Sequence, residues 1–153
     1  IEGIDGKSFL KALFGKEKEH RRFAYGIHNN IPEGTAYPIR SIRDKRYKLI
    51  LNLTPEVEYF EKHLMNLKNE RSVWASWIES TKTDKRARYF VDRYVKRPAI
   101  EFYDMQKDPW ELNNLAEEKK YAKRIAMMKG ELEAWMRQQG DTGAQMDVKI
   151  KKQ

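Results

Sequence analysis

The chain has 153 residues, room for one domain and not clearly two. Apolar residues make up 40% and aromatic residues 12%, with four tryptophans, a balance that excludes a disordered polar chain. Lys and Arg total 31 against 23 Asp and Glu, a formal charge of +8 that favours anionic partners, and the absence of cysteine excludes disulfides, thiolate metal sites and a thiol nucleophile. No run approaches the ~20 apolar residues needed to cross a bilayer, and the first residues do not read as a secretion signal. Ile1-Glu2-Gly3 opens the chain without an initiator Met, which reads as a trimmed or internal fragment.

Residues 8–14 are expected to form a short amphipathic helix that Gly15 stops with a left-handed cap. A charged turn spans 16–22. Strands are expected over 23–28, 37–43 and 46–53, with Asp44-Lys45 as the hairpin connection between the last two. The third strand alternates cleanly, with Tyr47, Leu49, Leu51 and Leu53 on one face and Lys48, Ile50 and Asn52 on the other.

Helices are expected over 57–67, from the spacing of Tyr59, Phe60, His63, Leu64 and Leu67, then over 73–78 and 86–95, the last broken at Arg97-Pro98. Residues 99–104 return to a strand. Asp108-Pro109-Trp110-Glu111 has the grammar of a helix start: a capping Asp, Pro at the first helical position and Glu at the third. Asn114 with Glu117 offers a second start. The last helix runs to about Gln139, carried by the stripe Tyr121, Ile125, Met128, Leu132 and Trp135, and ends at Gly140 before a frayed polar tail. The expected architecture is α+β: an antiparallel sheet of about four strands, a long C-terminal helix on one face and helices in a middle insertion. Domain boundaries are set at 1–141, with 1–15 as a handover segment and 142–153 as the tail.

Self-contained catalysis has few candidates. Ser8, Ser41, Ser72, Ser76 and Ser80 sit in no glycine-flanked elbow, and His20, His28 and His63 lack metal-ligand spacing. No catalytic and no metal-binding residue is assigned. Three segments are candidate ligand contacts. His28, Asn29 and Asn30 end a strand and enter a polar loop, where they either bind a sugar hydroxyl or sulfate or simply close a turn. Arg40 and Arg43, with Lys45, Arg46 and Lys48, either attract anions or decorate exposed strands. Trp74 and Trp77 either form a platform for a sugar or pack in the core. Asn52-Leu53-Thr54 matches a glycosylation acceptor, which the strand context and Pro55 disfavour.

Two longer stretches carry a family resemblance. One is Gly34-Thr-Ala-Tyr-Pro-Ile-Arg-Ser-Ile-Arg-Asp-Lys-Arg-Tyr-Lys-Leu-Ile-Leu-Asn-Leu53; the other is Arg97-Pro-Ala-Ile-Glu-Phe-Tyr-Asp-Met-Gln-Lys-Asp-Pro-Trp-Glu-Leu-Asn-Asn-Leu-Ala116. Together with Ile4-Asp-Gly-Lys-Ser-Phe-Leu10, they resemble the C-terminal region of type I sulfatases, nearest the heparan N-sulfatase (N-sulfoglucosamine sulfohydrolase) branch. Arg46 stands where the family has Lys, and Phe102 where it has Leu. The resemblance implies a parent enzyme that hydrolyses sulfate esters or sulfamates, with formylglycine and calcium in a catalytic domain, in a periplasmic, otherwise extracytoplasmic or lysosomal setting. The Cys/Ser-x-Pro-x-Arg motif that yields formylglycine does not occur here, so the chain alone is expected to be inert. Its implied partners are the catalytic domain of the same polypeptide and a sulfated sugar, with no nucleic acid and no membrane; His28, Asn29 and Asn30 are the candidate pocket rim. The other reading is a non-enzymatic basic module that binds nucleic acid or heparin through charge.

Overall fold

The computed structural model describes residues 6–68 and 72–146. The expected segment Ile4-Asp5 and the end of the tail lie outside the described residues. In chain order the elements are α1 (Leu10–Leu13), β1 (Ala24–His28), β2 (Ile39–Arg43), β3 (Tyr47–Asn52), α2 (Val73–Ser80), α3 (Lys85–Val95), β4 (Ile100–Asp104) and α4 (Ala122–Gln138). Short 3-10 turns lie at Lys119–Tyr121 and Gly143–Met146. The four strands form one antiparallel sheet in the order β1-β2-β3-β4, the α+β architecture the pattern implies.

Register gives each sheet face its own character. Tyr25, Ile42, Leu49 and Phe102 align across the strands on one face, where the α4 stripe Ile125, Met128 and Leu132 closes the main core. Tyr25 stacks on Trp135 with ring centroids 4.6 Å apart. On the opposite face, Gly26, Ser41, Ile50 and Glu101 align. A second core, Tyr37, Tyr59, Met65, Trp74 and Val91, gathers beside it against α2 and α3.

α4 ends as its Gly140 signal requires. Gly140 has φ +68°, its N–H bonds Arg137 O at 3.1 Å, and the Asp141 N–H returns to Met136 O at 2.8 Å. This turn does not release a frayed chain at once. It aims Asp141 under the sheet, where the carboxylate meets Arg40.

Two expected helices are absent. Residues 57–67 form turns because their amides find distant partners: Tyr59 N–H bonds Val95 O at 2.8 Å and Lys62 N–H bonds Glu33 O at 2.9 Å. The apolar spacing reflects Tyr59 and Met65 entering the second core while Phe60 and Leu67 stay exposed. At 108–111 the Asp-Pro-Trp-Glu segment is also a turn. Asp108 Oδ2 accepts from Asn113 N–H at 2.7 Å, and Glu111 adopts φ +55°, so the capping box never closes.

Candidate functional site

The β1 end and the loop after it are built around buried amides. Asn30 is 3% exposed and sits at φ +61°, a left-handed position that Asn tolerates. Its Nδ2 donates to Thr35 O at 2.8 Å and to Phe60 O at 2.7 Å. Gly34 completes the crossing: its amide bonds Asn30 O at 2.8 Å, and a Cβ there would lie 1.8 Å from Phe60 O. Asn29 Oδ1 accepts from Arg40 Nη1 at 2.7 Å. His28 remains exposed, its ring 6.2 Å from that of Tyr59. Of the three candidate rim residues, His28 alone presents its side chain outward, while Asn29 and Asn30 hold the loop that carries it.

The basic hairpin residues have separate fates. Arg40 is 1% exposed and faces α4, with Nε 2.5 Å from Asp141 Oδ2 and Nη2 3.1 Å from Oδ1. Its hydrogen bond holds the Asp141 carboxyl below the usual carboxylate range, against the opposing effect of burial. Lys45 pairs with Glu19 at 2.5 Å, Arg46 with Asp104 at 2.7 Å and Lys48 with Glu111 at 2.8 Å. Arg43 is exposed and, among the described residues, has no carboxylate partner. It shares the sheet face of His28, but it pairs with Ala24, four residues along β1, so the two lie about 14 Å apart along the strand. The structure does not bring Arg40, Arg43 and His28 into one cluster.

The two candidate tryptophans also part. Trp74 is buried in the second core, whereas Trp77 is 42% exposed on the rim of a groove of about 670 Å³. Lys48 and Ile50 of β3 and Glu101 of β4 form the groove's floor, α2 and α3 one wall, and the turn at 110–112 the other. The composition of the turn gave no sign of this, because Trp110 reads as a helix start. Below the groove, Glu101 accepts from Asn52 Nδ2 at 2.9 Å and from the Tyr103 hydroxyl, and Arg93 Nη2 donates to that hydroxyl at 2.6 Å. Burial and the adjacent Glu101 carboxylate push the Tyr103 phenol well up, so it stays a neutral donor. Among the described residues, no group of three or more His, Asp and Glu side chains could hold a metal ion, and no helix is long and apolar enough to cross a membrane.

No protein-family profile matches the chain. It is 34% identical over 146 residues to an ulvan-active sulfatase of Formosa agariphila, covering 92% of this chain and 26% of that protein. To the human N-sulphoglucosamine sulphohydrolase it is 25% identical over 141 residues, covering 86% of this chain and 26% of the enzyme. Among solved structures, it matches a protein in complex with its substrate D-glucosamine-2-N,6-O-disulfate, with TM-score 0.56 and 22% identity over 97% of this chain and 22% of the other. A 2-O glycosaminoglycan sulfatase matches with TM-score 0.53 and 20% identity, covering 92% of this chain and 22% of the other. The last two likenesses speak to the fold. The chain spans about a quarter of the length of the curated relatives it matches, and those relatives are sulfatases.

Proposed function

We propose that this chain is the C-terminal subdomain of a sulfatase whose whole polypeptide removes sulfate from esters or sulfamates on glycosaminoglycan-type sugars. The observation that carries the reading is the 34% identity to a sulfatase over nearly the whole of this chain and only 26% of that enzyme. The chain by itself is inactive in this reading. It lacks the Cys/Ser-x-Pro-x-Arg motif, and its described residues offer no cluster suited to calcium, so formylglycine and calcium belong to the rest of the polypeptide and no step is assigned to them here.

Its own role is to complete the fold and to lend a rim to the substrate pocket. Support for docking comes from α1 and the residues that flank it, where Phe9, Leu10, Leu13 and Phe14 are 62%, 55%, 68% and 68% exposed. Four large apolar side chains exposed within six residues suit a contact surface better than a solvated one. Support for the rim comes from His28, exposed on a loop that half-buried Asn29 and buried Asn30 hold in place. A periplasmic, otherwise extracytoplasmic or lysosomal setting agrees with such a substrate. The alternative of a basic module for nucleic acid or heparin loses the hairpin as its docking patch, since four of the five hairpin cations, Arg40, Lys45, Arg46 and Lys48, are already paired.

The test is sulfate release from sulfated glycosaminoglycan disaccharides by the full-length protein. Activity is expected from the full polypeptide and none from residues 1–153 alone. A full-length protein that releases no sulfate from ester or sulfamate substrates overturns the proposal.

A further inference from the structure

We infer that the groove between β3, α3 and the turn at 110–112 is an accessory binding site for a sulfated saccharide, away from the rim at His28. The inference rests on the sulfatase reading for its ligand class and on this chain alone for its geometry. The groove's volume of about 670 Å³ falls within the range of ligand sites, roughly 300–1,000 Å³.

Trp110 is the strongest pointer. It is 80% exposed, so it contributes little to the core, yet the turn that carries it is fixed from several sides. Lys48 Nζ holds the Glu111 carboxylate at 2.8 Å, Arg93 donates to the carbonyls of Glu111 and Leu112, and Asp108 gathers the Asn113 amide. Glu111 is held in left-handed backbone despite its side chain. A turn so firmly held positions its indole on a rigid base, which is what an anchor for a ligand needs. Across the groove, Trp77 offers a second half-exposed indole, with Phe90 and Tyr94 between.

Aromatic faces carry partial negative charge, and one face of a pyranose presents C–H bonds made electropositive by the ring oxygens, so the two stack. The groove's charges set the rest of the ligand. Lys48 is matched by Glu111, Arg93 is engaged by Tyr103 and lies 3.9 Å from Glu101, and Asp84 accepts from the Arg86 amide as the cap of α3. Arg97 is different. Its guanidinium lies over the rings of Tyr59 and Tyr94, at 4.9 and 5.4 Å from their centroids, and among the described residues it pairs with no carboxylate. A planar guanidinium backed by two rings suits two oxygens of one sulfate group. The groove therefore selects a neutral ring carrying a single sulfate near Arg97, not a dense polyanion.

Position agrees with an accessory role. Ile50 and Glu101 on the groove floor lie on the same sheet face as His28, two and three strands away and two residues along, or about 12–16 Å.

The experiment titrates the full-length protein with a sparsely sulfated heparan-derived tetrasaccharide, an ulvan-derived tetrasaccharide and their desulfated counterparts, read by calorimetry and tryptophan fluorescence. Wild-type protein is expected to bind at least one sulfated probe with a fluorescence change. Trp110→Ala is expected to weaken binding about tenfold with unchanged melting temperature, the size of loss from truncating an aromatic anchor, and Trp77→Ala to weaken binding by a similar factor while lowering the melting temperature, since its ring also packs on Trp74 and Tyr94. Arg97→Gln is expected to reduce the preference for the sulfated probe over its desulfated form. Equal affinity in wild type and both tryptophan variants places binding on the general basic surface and overturns the inference. So does a wild type that binds neither sulfated probe, the outcome if another part of the polypeptide covers the groove. Sulfate release is measured in parallel: binding lost on Trp110→Ala in a protein that releases no sulfate sinks the enzymatic reading and leaves the groove assignment standing.

Discussion

Replacing Asp141 with Asn tests the contact that ties the end of the chain to the sheet. The substitution keeps the shape of the side chain and removes its charge. Arg40 would keep its own charge at 1% exposure and face only neutral acceptors, Asn29 Oδ1 at 2.7 Å, Ile39 O at 3.0 Å and the single amide oxygen at 141. Removing one member of a buried ion pair costs about 3–5 kcal/mol, because the other is left without a counter-charge. For a domain of this size, about 2–4 °C of melting temperature accompanies each kcal/mol, so a fall of roughly 6–20 °C is expected. Calorimetric and circular-dichroism melts measure it. The double variant Arg40→Met with Asp141→Leu should recover most of the loss, since it removes the stranded charge and keeps the volume. An Asp141→Asn protein that melts within about 2 °C of wild type would refute the reasoning, and would mean that water reaches Arg40. The same variant should loosen Asn29, and with it the presentation of His28.

Acid should destabilise the protein as the carboxyls that arginines hold down become protonated. Asp104, lowered chiefly by its bond to Arg46, and Asp141, lowered chiefly by Arg40, contribute stability that is present above their unfolded pKa of about 3.9 and lost as pH falls through their lower folded values. Melting temperature should therefore drop below about pH 4, and Asp104→Asn should flatten that drop; a profile that Asp104→Asn leaves unaltered would count against the assignment. Gly34→Ala should cost about 4 kcal/mol or more, because the new Cβ would lie 1.8 Å from Phe60 O, and denaturant unfolding reads the loss directly. If the full-length protein releases sulfate as proposed, His28→Ala should lower its kcat/KM on a sulfated disaccharide about tenfold without moving the melting temperature; unaltered kinetics would remove His28 from the rim.

What could be read from the sequence was whatever depends on short-range periodicity. β3 shows its two faces because alternation is a property of six consecutive residues, and α4 shows its stripe because one turn repeats the next. The two helices that failed show the limit of the same logic. Residues 57–67 have helical spacing, but Val95 O and Glu33 O offered their amides better partners than the next turn did. Asp108 and Glu111 have the types and spacing of a capping box, but Lys48 takes the Glu111 carboxylate from 63 residues away and Arg93 takes the carbonyls. Local grammar proposes an element; long-range partners with a stronger claim on the same groups overrule it.

The candidate site follows the same division. A charge count at the hairpin suggests an anion-attracting patch, yet the count cannot see Asp141, which lies 101 residues from Arg40 and reaches it only because Gly140 turns the chain. The groove is hidden for a related reason: its floor comes from β3 and β4, one indole from α2 and the other from a turn that reads as a helix start. Its signal in the sequence is indirect. Trp110 has no place in any apolar stripe, and what sets it apart from an ordinary exposed side chain is the firmly held turn beneath it, which the sequence does not show. The pointer to a ligand therefore lies not in the residue type at 110 but in the partners, 19 and 63 residues away, that fix its turn.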